Sequence, residues 1–338
     1  RVRLKWNPYF EGLIVNSRSN EKQIEMAKTA DKLGSKHYIG LEDKYGAHNY
    51  HPLPVVLEKG EGVHVWDVEG KKYYDFLSAY SAVNQGHCHP KIIGALTDQA
   101  KTLTLTSRAF FNDKLGVYEE FAAKYFGFEK ILPMNTGAEA VETALKIARK
   151  WGYEKKGIPQ NQGKIVVCEN NFHGRTTTII SFSNDQDARQ NFGPFTTGFV
   201  RIPYDDIDAL REALQDSNVA AFLVEPIQGE AGVYVPGDGF LTAASKLCKE
   251  NNVLFIADEV QTGIARTGKL LAVDHENVKP DVLILGKAIS GGVYPVSAVL
   301  ADNHIMEVIH PGQHGSTFGG NPVAAAVAMA ALEVVKDE

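Results

Sequence analysis

The sequence predicts an α/β fold built on a mainly parallel sheet with helices on both faces, and three observations carry that expectation. From about residue 130 onward, strand-like and helix-like stretches alternate. Two of the strands, Val253–Ala257 (VLFIA) and Val282–Leu285 (VLIL), are apolar without interruption, the pattern of a strand covered on both sides. Each leads into a residue able to do chemistry, Asp258 in one case and Lys287 in the other, near the strand end where open α/β sheets bind ligands.

In chain order, the first stretch is basic: Arg1, Arg3, Lys5 and Arg18 are offset by Glu11 alone. That balance fits the tail of a mitochondrial transit peptide or a disordered basic arm. Because residue 1 is arginine and not methionine, the sequence is expected to be a fragment or a processed chain. Residues 21–44 are charged and helix-prone, so 1–44 is expected to be an extension without chemistry. Strand patterns follow at residues 54–59 (PVVLEK), 63–68 (VHVWDV) and 73–76 (YYDF), separated by Gly60-Glu61-Gly62 and Glu69-Gly70-Lys71. They read as an antiparallel meander with glycine turns, within a segment spanning 45–85.

The rest of the chain, 86–338, reads as one large domain. Pro90 suits the first residue of a helix, and within 113–126 Leu115, Tyr118, Phe121, Ala122 and Tyr125 share a helical face. There follow strand 130–134, helix 138–151, strands 164–168 and 219–224, helix 239–250, and strands 253–257, 282–285 and 294–300. Asn321 as cap and Pro322 in the first turn open a last helix with no glycine or proline stop before Glu338, so a C-terminal small domain is expected to be missing.

Composition narrows the class. A chain of 338 residues exceeds the usual single core, and 44% hydrophobic with 22% charged residues is ordinary for a globular protein. A net charge of −6 offers no basic face for nucleic acid. The apolar run 322–332 is too short to span a membrane. Cys88, Cys168 and Cys248 are too widely spaced for a zinc or disulfide pattern, which fits a reducing compartment.

Three stretches carry the chemistry. Lys287 follows a buried strand and sits among small residues, Gly286, Ser290, Gly291 and Gly292, where an ammonium is costly to desolvate. A neutral ε-amine there can condense with an aldehyde as a Schiff base; the plain alternative is a lysine that snorkels to water. If the aldehyde is pyridoxal phosphate, an anion must keep the pyridine nitrogen protonated, and Asp258 fits, with Gln261 able to reach the ring hydroxyl. The helix after Asn135-Thr136-Gly137 would turn free N–H groups toward a phosphate, although such a start also serves as a simple cap. Phe172 could stack on a flat ring and Arg175 could grip a carboxylate through two parallel hydrogen bonds. Without such a partner, Arg175 would make a surface salt bridge, Glu225 and Glu230 would be solvated loop acids, and Tyr50 and Tyr80 half-buried aromatics.

The motifs MNTGAEAVE, NNFHGRT, VEPIQGEAGV, LFIADEVQTGIARTG, LILGKAISGGVYPVSAV and HGSTFGGNP, in that order, resemble the class III aminotransferases of pyridoxal phosphate fold type I, from about Tyr45 to the end. Residues 44–92 (KYGAHNY to HCHPKI) are similar to the members of that class that act on L-ornithine with 2-oxoglutarate. The resemblance implies a seven-stranded sheet, pyridoxal 5'-phosphate on Lys287, and a phosphate held by Thr136, Gly137 and Ala138. It also implies Asp258 at the ring nitrogen, Gln261 at the ring hydroxyl and Phe172 on the ring face. Arg175 would bind the substrate α-carboxylate, Glu230 would lie near the substrate, and Tyr50 and Tyr80 would line its pocket. Thr317, with Ser316 beside it, would reach the phosphate of a neighbouring subunit, which implies a homodimer or larger homo-oligomer. Localisation in the mitochondrial matrix is expected, in keeping with the basic first stretch, with the cytoplasm as alternative. N-acetylornithine and 4-aminobutyrate are the alternative substrates.

Two competing readings remain. Gly263 to Leu270 nearly matches a nucleotide phosphate loop, but Leu270 stands where magnesium needs a hydroxyl. His87-Cys88-His89 cannot easily turn three adjacent ligands onto one ion, so no metal is expected.

Overall fold

The apolar strands form one seven-stranded sheet in the computed structural model, which describes residues 33–338. The basic residues between Arg1 and Arg18 lie outside the described residues, as does the start of the helix-prone stretch. Its described part forms helix α1, Ser35–Tyr45. The chain divides into two compact units: one holds residues up to Gly60 together with His64–Tyr74, the other Glu61–Val63 with Asp75–Glu338.

In the first unit the meander forms as expected. Strands β1 (Leu57–Glu61), β2 (His64–Asp67) and β3 (Lys72–Tyr74) lie side by side, and β2 and β3 pair antiparallel with Val65 opposite Tyr73. Asp67 closes the turn by accepting hydrogen bonds from the Lys71 N–H at 2.8 Å and the Tyr73 hydroxyl at 2.6 Å.

The large sheet of the second unit contains β4 (Lys130–Met134), β5 (Lys164–Cys168), β6 (Phe199–Ile202), β7 (Val219–Val224), β8 (Leu254–Asp258), β9 (Val282–Leu285) and β10 (Ser297–Ala301). Their order is β4-β10-β9-β8-β7-β5-β6. Strands β9, β8, β7, β5 and β6 pair parallel, and β10 runs antiparallel to both neighbours. Successive side chains on one strand face opposite sides, so the single run VAAFLV of β7 serves two cores. Phe222 and Val224 pack with Val166, Phe255 and Leu283, while Ala221 and Leu223 pack with Ile165, Val167, Ile256 and Ile284. Burying each of the larger side chains contributes about 2 kcal/mol, which is why the central strands β7 and β9 lack polar residues.

Among the described residues of the second unit, five helices have eleven residues or more: α2 (Pro90–Ala100), α3 (Leu115–Phe126), α4 (Gly137–Trp151), α5 (Phe240–Glu250) and α6 (Pro322–Asp337). Tyr118 and Ala122 of α3, Leu241 and Ala244 of α5, and Ala325 and Ala328 of α6 cover one sheet face. Val141, Ala144, Leu145, Ala148 and Trp151 of α4 cover the other. Asn321 caps α6 through its Oδ1, which accepts the Ala324 N–H at 2.9 Å.

Several boundaries differ from expectation for local reasons. The strand expected at 294–300 begins only at Ser297, because Pro295 has no N–H to give the ladder. Helix α3 starts at Leu115, after Asn112 Oδ1 accepts the N–H groups of Lys114 and Leu115. Edge strand β6 escaped notice since it is four residues long and carries Arg201. After Lys269 the chain forms only a five-residue 3-10 helix, Ala272–Glu276, so the phosphate-loop reading lacks the helix it requires. No helix among the described residues is long and apolar enough to cross a membrane.

Candidate active site

Strand β4 delivers the chain to the start of α4, and the sequence there specifies a capping box. Thr136 Oγ1 accepts the Glu139 N–H at 3.2 Å, and Glu139 Oε2 accepts the Thr136 and Asn135 N–H groups at 2.9 and 3.0 Å. The next two N–H groups, of Gly137 and Ala138, donate to no acceptor among the described residues, and both residues line a cavity of about 180 Å³. Those donors, at the positive end of a fifteen-residue helix, suit an anion. Close packing requires glycine at 137, since a Cβ would lie 2.9 Å from Val260 Cγ1.

At the end of β8 the adjacent acids separate. Asp258 faces the cavity, its Oδ2 2.6 Å from His173 Nδ1 and its Oδ1 accepting the Val260 N–H at 3.1 Å. Glu259 points into the protein, where it accepts the Val273 N–H at 2.9 Å and the Thr262 hydroxyl. Burial opposes charge on His173, yet the hydrogen bond to Asp258, its charge and that of Glu225 outweigh burial and raise the imidazole pKa. The 2.6 Å contact with His173 therefore orients the Asp258 carboxylate toward the imidazole within the buried site.

Strand β7 ends at Glu225, expected as a solvated loop acid. It is instead buried, 7% exposed, and accepts the Phe172 N–H at 2.8 Å. Burial is the main cause that pushes its carboxyl up to about 7; the charge of Asp258 adds to that, while His173, the Phe172 N–H and Lys287 oppose it.

Lys287 follows β9 and lines the same cavity. It opens the 3-10 turn Lys287–Ser290 with φ at +46°, a left-handed conformation that costs a non-glycine residue about 1–2 kcal/mol. Burial pushes its ammonium pKa down, against the opposing pull of Asp258, Glu230 and Glu225. The snorkelling alternative does not hold, for the side chain lines the cavity and is partly buried.

The structure thus gathers Gly137, Ala138, Phe172, Asp258, Gln261 and Lys287 around one cavity, with Thr136 capping its anion-facing helix. Gln261 lies so close to the loop after β7 that a Cβ on Gly229 would sit 1.8 Å from its Oε1. Phe172 is 36% exposed, and Arg175 lies over its ring at 5.6 Å, in place of the salt bridge expected by default. Glu230 is exposed and borders a second hollow that also includes Phe172. Ser316 and Thr317 do not join the cavity; they line a separate hollow with residues 105–108, and Ser316 Oγ accepts the Asn135 Nδ2–H at 2.8 Å. Tyr80 is 57% exposed on a turn beside Lys287–Ser290, and Tyr50, in the other unit, is 76% exposed; neither is the half-buried aromatic of the default reading. His87 pairs with Asp75 at 2.7 Å, and His89 approaches Glu338 at 3.2 Å, so the two histidines turn to different partners.

Sequence reasoning missed His173 and Glu225 as site residues. A histidine between an aromatic and a glycine carries no local signal, and only the parallel strand order brings it to Asp258, 85 positions away.

A lysine with a lowered pKa, a fixed carboxylate, an exposed aromatic face and an N–H cradle can hold a phosphorylated aromatic aldehyde and move protons beside it. Comparison with known proteins agrees. The family described as Aminotransferase class-III matches residues 45–338. A mitochondrial ornithine aminotransferase of Drosophila ananassae is 67% identical over 304 residues, 90% of this chain and 70% of that relative. A solved ornithine aminotransferase of Toxoplasma gondii, described with PLP at its active site, is 54% identical with a TM-score of 0.91 over 94% of this chain and 74% of that one. A solved acetylornithine aminotransferase of Elizabethkingia anophelis is 72% identical with a TM-score of 0.83 over 90% of this chain and 75% of that one.

Proposed function

The chain belongs to the class-III aminotransferases, and from that premise we propose that it transfers the δ-amino group of L-ornithine to 2-oxoglutarate, giving glutamate semialdehyde and glutamate. The observation that carries the chemistry is the convergence of Lys287, Asp258 and the unpartnered Gly137 and Ala138 N–H groups on one cavity. These residues fit pyridoxal 5'-phosphate. The α4 N–H groups and Thr136 would hold its phosphate, Asp258 its ring nitrogen, Gln261 its ring hydroxyl, and Phe172 the ring face. When bound, the cofactor supplies a conjugated ring that withdraws electrons from the carbon being deprotonated.

The chain's own groups do the rest. Lys287 would be the residue that holds the cofactor's aldehyde carbon, and its amine, once free, would carry the proton from the substrate carbon. Burial lowers the pKa of that amine, the direction that favours its neutral form, as proton removal requires. Asp258 is oriented by His173. Arg175, free of any ion pair among the described residues, is available for the substrate α-carboxylate; Glu230, Tyr50 and Tyr80 are assigned to the substrate side. Ser316 and Thr317, outside the cavity of their own chain, are assigned to the phosphate of a partner in a homodimer. Residues 45–85 are assigned to a small domain and 86–338 to the cofactor-binding domain. The mitochondrial matrix is the proposed location, a reading supported by the Drosophila relative's description as mitochondrial.

N-acetylornithine is the second reading, because a relative 72% identical is described as an acetylornithine aminotransferase. Turnover of L-ornithine, N-acetylornithine and 4-aminobutyrate with 2-oxoglutarate separates the readings. The proposal expects the largest kcat/KM for ornithine; a larger value for N-acetylornithine would replace it with the second reading.

A further inference from the structure

Resting on the proposed role of Tyr80 at the substrate, the geometry points to Asp75 and His87 as positioning residues that set substrate selectivity by holding Tyr80 in a strained turn. Ser78, Ala79, Tyr80 and Ser81 have φ of 50°, 46°, 57° and 72°, four successive non-glycine residues in the left-handed region. L-residues visit that region singly, not in runs, so this turn persists only where its surroundings over-determine it.

The surroundings do so at both ends. On the entering side, Asp75 Oδ1 accepts the N–H groups of Leu77 and Ser78 at 3.0 and 2.9 Å. Its Oδ2 accepts from His87 Nε2 at 2.7 Å. His87 is itself fixed, exchanging backbone hydrogen bonds with Gly62 at 2.8 and 3.0 Å. On the leaving side, Asn84 Nδ2 donates to the Ile264 carbonyl and Gln85 Nε2 to the Ala288 carbonyl, each at 2.9 Å. Ala288 follows Lys287 directly, so the turn bearing Tyr80 is tied to the turn bearing the lysine. Tyr80 stays exposed throughout, with a phenol that a substrate could meet.

Ornithine carries an α-ammonium at the end remote from the transferred amine, and 4-aminobutyrate does not. A phenol held on the turn that packs beside Lys287–Ser290 can accept a hydrogen bond from that ammonium and so prefer ornithine. If Asp75 or His87 is lost, the run of positive φ relaxes and the phenol moves, while the lysine, Asp258 and the α4 N–H groups stay in place.

The test is the ratio of kcat/KM for ornithine to that for 4-aminobutyrate in holoenzyme of the full chain. Parent, Tyr80→Ala, His87→Ala and the double variant are compared, with cofactor absorbance reporting a folded site. Asp75→Asn serves alongside, since its Oδ1 can still accept the two turn N–H groups. The proposal expects His87→Ala and Asp75→Asn each to lower the ratio about tenfold, chiefly through KM for ornithine, and His87→Ala to have no further effect on the ratio once Tyr80 is alanine. Equal losses on both substrates would overturn it, reducing the pair to a structural role. Should Tyr80→Ala shift the ratio while the pair variants do not, the inference alone falls. Should Tyr80→Ala leave the ratio unchanged, the role of Tyr80 falls and the inference with it.

Discussion

Replacing Glu225 with glutamine should remove a downward slope in the stability of the cofactor-free protein as pH rises. Glu225 is buried at the end of β7, and its carboxyl is pushed from the ordinary 4.5 up to about 7, chiefly by burial. Each pH unit of such displacement corresponds to about 1.4 kcal/mol, so ionising this group costs the fold about 3 kcal/mol. Below 4.5 the folded and unfolded chains both hold the proton, and no penalty exists. Between 4.5 and about 7 the unfolded chain has released it while the folded chain retains it, so stability falls as pH rises. Above about 7 the penalty is complete. Glutamine keeps an oxygen able to accept the Phe172 N–H and carries no charge. Urea unfolding of parent and Glu225→Gln should therefore agree near pH ~4 and differ by about 3 kcal/mol near pH ~8, with the variant the more stable. Glu259, also raised to about 7 by burial, is present in both proteins, so the difference isolates Glu225. Parallel stability curves across that range would refute the reasoning.

Three further outcomes follow from the site. Lys287→Ala should lower turnover by about 10⁴-fold or more while cofactor still binds through the remaining contacts, as equilibrium dialysis would measure; an active alanine variant would contradict the role of Lys287. His173→Ala removes the buried hydrogen-bond partner of Asp258 and should cost about 2 kcal/mol of stability together with a fall in kcat, read by denaturation and steady-state kinetics. Gly229→Ala places a Cβ 1.8 Å from Gln261 Oε1, so Gln261 must swing away, and the Kd for cofactor should rise about tenfold with the fold intact.

The sheet was legible because its strands are buried on both faces, which leaves uninterrupted apolar runs such as VLIL of β9, and α4 because its cap and apolar face both lie in the local sequence. Lys287, Asp258, Gly137 and Ala138 could be singled out for the same reason: each stands next to a strong element signal. Four features had no such signal. The burial of Glu225 depends on Phe172, 53 positions away, and the contact of Asp258 with His173 on the parallel order of strands. The left-handed run at 78–81 contains no glycine, the residue by which such a turn is ordinarily foreseen. Ser316 and Thr317 line a hollow separate from the cavity of their own chain, which no periodicity could have indicated.

The most direct test of the central claim is the absorption spectrum of the protein with pyridoxal phosphate, before and after L-ornithine. A Schiff-base band that disappears with ornithine and returns with 2-oxoglutarate is the expected result, since it requires both half-reactions at Lys287. A band that ignores ornithine would contradict the account.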